Sequence, residues 1–338
     1  MRLTVAAVGG VVGGVGGVGG VGQTGAMEQR ETERIGAALG RPVLGARPLA
    51  GGFSHETALL TLADGPVVAR LGGPAPAVEA AVMAAARPQV PVPEVLFVLP
   101  AVVEPDEARA AMVLEYVPGT PLSHVLGGGG VDRNSLIALG TEVGRVAARV
   151  GTVTFDRTGF FTDGRLAVGQ DEQPWSRQLP EVAEACVAAA PAGRLDPAVR
   201  RAWVKLCETH APALERVDHL ACLVHADFNP KNILVSRAGP GWRVDAVLDW
   251  EFAYSGCPYG DAANMLRFGD AYPDGFLDGF REGFRTGERV HPLDADWEYL
   301  GRVLDLFALS DLVTRPEGHE VADAAAEVVR RWVVRPFT

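Results

Sequence analysis

The sequence predicts an α+β protein of two lobes, a sheet-rich N-terminal lobe over residues 27–117 and a mainly helical C-terminal lobe over 118–338. Three observations carry this. Short apolar runs cut by Gly, Pro and Asp turns crowd the first third, and longer helical patterns fill the rest. A length of 338 residues suits roughly two domains. The break Pro118-Gly119-Thr120-Pro121 falls where one regime gives way to the other.

Taken in order, residues 1–26 are a Val/Gly repeat with ten glycines, expected to be a flexible leader or an upstream extension before Met27, and set apart from the fold. Residues 31–39 suggest a short helix. Residues 42–50 and 55–62 read as strands around the turn Gly51-Gly52-Phe53-Ser54, and Ala63-Asp64-Gly65 is a hairpin turn into a third strand over 67–70. The alanine-rich 77–86 is helical, because alanine loses the least entropy there. Strands are expected over 95–99 and 111–117, and a loop at 127–130. Helices follow over 134–150, about 175–190 and 197–217. Short strands around 221–225, 232–235 and 243–249 interrupt them before a helical remainder over 261–335.

The composition narrows the function. With 48% apolar residues the chain can bury a sizeable core. A net charge of −11 argues against a general nucleic-acid binder and is compatible with a cationic small-molecule partner. No apolar run is long enough for a membrane helix, so no membrane partner is expected. Four scattered cysteines show no metal or redox spacing and suit buried thiols in a reducing cytoplasm. The oligomeric state is not legible. Only Lys205 and Lys231 are lysines, which excludes any mechanism that needs a lysine in the first 200 residues.

The chemistry concentrates in residues 223–235, where two apolar strands flank His225, Asp227, Lys231 and Asn232, and in the strand 246–251, which ends in Asp249-Trp250-Glu251. Strand ends carrying two carboxylates and a carboxamide suit phosphoryl transfer. One carboxylate accepts the proton of an attacking hydroxyl, and the other hard oxygens can hold Mg²⁺. The spacing Asp227-x4-Asn232 with Asp249 beyond it matches a kinase catalytic loop and its metal-binding aspartate.

Over about residues 45–315 the chain resembles the aminoglycoside phosphotransferase family, a branch of the protein-kinase-like fold, whose members carry His-Gly-Asp-x4-Asn followed by Ile/Leu-Asp-Trp. Position 226 is Ala where the family has Gly, a change expected to leave the catalytic residues undisturbed. The resemblance implies Asp227 as catalytic base, Asn232 and Asp249 as Mg²⁺ ligands, and His225, Lys231 and Asp261 as supporting residues. It implies a nucleotide site from Gly51, Gly52, Phe53 and Ser54, from Arg70 paired with Glu79 where kinases have lysine, and from the main chain of Glu115 and Val117. ATP is the expected donor, with GTP left open. The acceptor is a small-molecule hydroxyl, an antibiotic first. The alternatives are a choline, homoserine or sugar kinase, or a nucleotide-binding pseudokinase acting through partners. Fourteen acidic residues against five arginines between Asp245 and Asp311 suit a polycationic acceptor or a solvated acidic surface.

Overall fold

Helix α1 (Gln29–Leu39) leads into five antiparallel strands: β1 (Gly45–Pro48), β2 (His55–Leu62), β3 (Gly65–Gly72), β4 (Val95–Leu99) and β5 (Ala111–Glu115). They pair in the order β1-β2-β3-β5-β4, with helix α2 (Pro76–Ala86) between β3 and β4 in sequence. This computed structural model describes residues 27, 29–49, 55–102, 108–170, 173–239, 241–335 and 337. The Val/Gly leader and the Gly51–Ser54 turn lie outside the described residues. Alternation along β2 and β3 sends Ala58, Leu60, Ala69 and Leu71 to one face, where they pack with Ile35 of α1 and Val113 of β5. β3 is thereby central, with Arg70 in register with Met112 on one side and Thr57 on the other. The strand expected over 42–50 is confined to Gly45–Pro48, an exposed edge paired only with β2.

The chain then crosses to a helical part through β6 (Thr120–Pro121) and α3 (Leu122–Gly127). The C-terminal helices are α4 (Arg133–Val150), α5 (Trp175–Ala189), α6 (Pro197–His210), α7 (Tyr259–Leu266), α8 (Phe276–Thr286), α9 (Trp297–Leu312) and α10 (Glu320–Val334). Asp132 caps α4 by accepting from the Ser135 N–H at 3.0 Å. The helix expected over 197–217 ends at His210, and Ala211–Arg216 continues as a 3-10 turn, since Pro212 has no N–H for an α-helical bond. β7 (Gly159–Phe160), β8 (Cys222–Val224), β9 (Ile233–Ala238), β10 (Gly241–Val247) and β11 (Tyr254–Gly256) form two small sheets, β10-β9-β6 and β7-β11-β8. β6, β7 and β11 are two or three residues long, too short to show a period of two. Among the described residues no helix is long and apolar enough to cross a membrane.

α4 and α8 cross at backbone contact. A Cβ on Gly140 would lie 2.0 Å from the Phe276 carbonyl oxygen, and one on Gly283 2.0 Å from that of Thr141. That contact anchors the C-terminal core, in which Phe276, Phe280 and Leu139 are fully buried.

Candidate active site

β8 delivers the chain into the loop at His225, and β9 takes it out after Asn232. His225 is buried, its Nε2 bonded to the Leu248 carbonyl at 2.9 Å and its ring 4.5 Å from that of Trp250. Its Nδ1 accepts from the Asp227 N–H at 3.1 Å, so the imidazole is neutral and fixed between the two loops. Burial lowers its pKa to about 4. Ala226 has φ = +68°, a left-handed backbone that costs an L-residue about 1 kcal/mol. Glycine escapes that cost, so the Ala–Gly difference is not neutral for the backbone.

Three bonds from α7 secure this turn. Asp261 takes the N–H of His225 on Oδ2 and that of Ala226 on Oδ1, both at 2.9 Å, and Asn264 donates to the Ala226 carbonyl at 3.1 Å. Asp261 is fully buried, and burial raises its pKa to about 7 against the pull of the two N–H groups. It braces the His225–Asn232 loop from the first turn of α7, whose N-cap is Pro258.

Asp227 receives Asn229 Nδ2 on Oδ1 at 2.8 Å and Asn232 Nδ2 on Oδ2 at 2.7 Å. Each oxygen keeps a second lone pair. Burial and then the charge of Asp249 raise its pKa to about 6. With its amide nitrogen spent on Asp227, Asn232 has its carboxamide oxygen left for another partner. Its backbone carbonyl accepts from Leu248 N at 2.8 Å, tying the β9 entrance to the β10 exit. Asp249 follows with φ = +67°, a second left-handed non-glycine residue. Lys231 is exposed, and its backbone N–H bonds Asn229 Oδ1 at 2.9 Å.

From the sheet, Arg70 donates through Nη1 to Glu79 of α2 and through Nη2 to Asp249 Oδ1 at 2.7 Å. Glu79 also accepts the Trp250 N–H at 3.2 Å. His55, at the start of β2, bonds Arg70 Nη2 through Nε2, and burial and Arg70 lower its pKa to about 4. One ligand atom each of His55, Asp249 and Glu251 lies within 4.8 Å of the others. Sequence reasoning missed His55, Asn229, Glu251 and Asn264. The signals were faint: His55 directly follows the glycine turn, and Asn229 sits inside the Asp227-x4-Asn232 spacing.

At the crossing between lobes, the Glu115 N–H is bonded to the Glu94 carbonyl at 2.9 Å, so this N–H is already used within the fold. Gly119 passes so close to β9 that a Cβ would lie 3.0 Å from the Leu234 Cβ. Most of the acidic residues between 245 and 311 are spent on arginines: Asp305 on Arg267, Asp294 and Asp296 on Arg216, Glu298 on Arg281, Asp278 on Arg133. Trp250, Tyr259 and Trp297 are core residues, while Tyr254 and Tyr272 are half-buried.

The site therefore holds an up-shifted carboxylate, a carboxamide and second carboxylate of the type that ligates a hard cation, and a buried arginine, which together can position a phosphoryl donor beside a base.

The profile of the phosphotransferase enzyme family matches residues 45–295. No curated protein sequence matches the chain. Among solved structures it is similar to aminoglycoside phosphotransferase APH(4)-Ia in ternary complex with ADP and hygromycin B, a thermostable mutant, at 19% identity over 91% of this chain and 99% of that one, with a TM-score of 0.65. It is also similar to APH(2″)-IIIa in complex with GDP and kanamycin, at 15% identity over 92% and 100%, TM-score 0.64. A candidate fructosamine-3-kinase from Thermobifida fusca aligns at 19% identity over 89% and 98%, TM-score 0.55. At these identities the likeness is one of fold, the two-lobed kinase-like fold.

Proposed function

The chain belongs to the phosphotransferase enzyme family, and from that premise we propose that it is an ATP- and Mg²⁺-dependent O-phosphotransferase acting on a hydroxyl of a small molecule. The observation that carries this is the convergence of Asp227, Asn232 and Asp249, with Asn232 donating to Asp227 at 2.7 Å and Arg70 donating to Asp249 at the same distance.

In this reading Asp227 orients the acceptor hydroxyl and takes its proton as the oxygen attacks the terminal phosphorus. The bond to the departing nucleoside diphosphate breaks as the new one forms. Its raised pKa makes it a better proton acceptor than a solvated aspartate. Asn232 and Asp249 would hold the divalent cation, their hard oxygen donors fitting it. Bound there, the cation supplies charge neutralisation on the donor phosphates. Arg70 grips those phosphates with a planar fork whose other edge is fixed by Glu79, and Gly51, Gly52, Phe53 and Ser54 are the further residues proposed for the donor on the sequence alone. The main chain of Glu115 and of Val117 meets the base. His225 and Asp261 hold the loop, and Lys231 stands at its rim. A cytoplasmic setting fits the four buried, free thiols.

An antibiotic hydroxyl is the proposed acceptor, by extension from the hygromycin B and kanamycin bound by the structural neighbours. The consumption of acidic side chains by arginines favours a second reading, a less cationic metabolite such as a sugar, choline or homoserine. Mass spectrometry for a phosphate adduct across antibiotic and metabolite acceptors, with ATP or GTP and Mg²⁺, separates the two. Asp227→Asn should lower kcat by orders of magnitude and leave nucleotide affinity intact. Near-normal turnover in that variant, or no adduct on any acceptor, defeats the assignment.

A further inference from the structure

Nη2 of Arg70 serves two partners at once, Asp249 Oδ1 at 2.7 Å and His55 Nε2. A guanidinium has donors only, so Nε2 must be the lone-pair nitrogen and the ring proton sits on Nδ1. Nδ1 faces the Glu251 carboxylate, with Oε2 3.7 Å away. The side chains of His55 and Glu251 are 4% and 5% exposed, so water does not compete for these groups. The backbone of Gly73 closes over the ring. It has φ = +89°, and a Cβ there would come within 3.3 Å of Nδ1.

We propose that His55 is a positioning residue of the phosphoryl-transfer site, a neutral imidazole enclosed between Gly73 and Glu251 that fixes the Arg70 guanidinium in the plane joining Glu79 to Asp249. This rests on the reading of Arg70 as the residue that holds the donor phosphates. Glu79 pins one corner of a long, flexible side chain and leaves the fork free to swing about that point. A second fixed acceptor sets its plane. Asp249 cannot be that acceptor throughout, because a divalent cation would claim its oxygens. His55 keeps Nη2 paired when Asp249 is shared, and its neutrality adds no charge that would oppose the cation.

The test uses the full chain. Long-range ¹H–¹⁵N spectra of the wild type should show His55 as the Nδ1–H tautomer at neutral pH, and an Nε2–H tautomer or a charged ring overturns the proposal. Calorimetric titration with Mg²⁺·ATP, together with steady-state kinetics, is then run on the wild type, His55→Leu, His55→Gln, Arg70→Ala and the double variant His55→Leu/Arg70→Ala. His55→Leu should weaken Mg²⁺·ATP binding about tenfold, the scale of one charge-assisted hydrogen bond, and raise KM more than it lowers kcat. His55→Gln, whose amide can accept from Arg70 and donate to Glu251, should recover most of the loss. In the Arg70→Ala background His55→Leu should add nothing, because its effect passes through Arg70. Unchanged binding in His55→Leu, or an equal further loss in the Arg70→Ala background, overturns the proposal. A wild type that binds no Mg²⁺·ATP overturns the functional reading itself, and the tautomer spectrum tells that failure from the other.

Discussion

Asp227 is held by two asparagines, and their balance against burial sets the pH at which the site can work. Burial and the neighbouring Asp249 push its pKa up to about 6, while Arg267 and the amides of Asn232 and Asn229 pull the other way. As the proposed base, Asp227 must be ionised to take a hydroxyl proton, and its raised pKa keeps it protonated below about pH 6. The sign follows: kcat/KM should fall as pH drops through about 6 and level off above it. Asn229→Ala deletes a bond that favours the ionised form, so its acid limb should move to higher pH by about half a unit. pH–rate profiles of the two proteins decide it, and a limb that stays put counts against Asp227 as the titrating base. His225, Asp227, Asn232 and Asp249 were legible because their identity and spacing are the signal. The geometry that supports them was not. Nothing in the letters shows that Ala226 sits at φ = +68°, or that Asp261, thirty-odd positions on, holds both N–H groups of that turn.

Elements that carry their own punctuation were readable, and those fixed by partners were not. α4 has an Asp cap and a long apolar stripe, and β2 and β3 alternate around a Gly turn, so local chemistry and final structure agree. β7 and β11 exist because neighbouring strands offer them hydrogen-bond partners, which two or three residues cannot announce. The α4–α8 crossing is of the same kind. Gly140, Gly144, Gly279 and Gly283 look like helix weaknesses in sequence, yet they are where the two backbones touch. Gly283→Ala would put a methyl carbon 2.0 Å from the Thr141 carbonyl oxygen, a backbone atom that cannot rotate away. It should destabilise the chain by about 3 kcal/mol, at the upper end for overpacking, despite the better helix propensity of alanine. Gly127→Ala in α3, where a Cβ meets nothing within 4 Å, is the matched control and should be neutral or mildly stabilising. Thermal or urea unfolding measures both, and equal midpoints would mean that the crossing is looser than described.

At the scale of the molecule, charged side chains of the two lobes meet around Asp249. Arg70, Glu79 and His55 come from the sheet-rich part, while Asp249, Trp250 and Glu251 come from the helical part. Asp249 is thus both a proposed cation ligand and the carboxylate that receives the arginine of the other lobe at 2.7 Å. A Mg²⁺·nucleotide gripping both sides should bind the folded chain alone and raise its unfolding free energy by RT ln(1 + [L]/Kd), about 2.7 kcal/mol at a hundredfold excess over Kd. For a chain of this size that is several degrees in Tm. Asp249→Asn separates the contributions. The carboxamide can still accept from Arg70, and Glu79 and His55 still hold the guanidinium, so the apo chain should lose only part of its stability. It lacks the charge a hard cation needs, so the part of the nucleotide shift that EDTA removes in the wild type should be absent from the variant. The measurement is a thermal melt of both proteins with ATP, with and without Mg²⁺. If Asp249→Asn retains the full Mg²⁺-dependent shift, the cation is held elsewhere, and the Arg70–Asp249 contact is only a bridge between lobes.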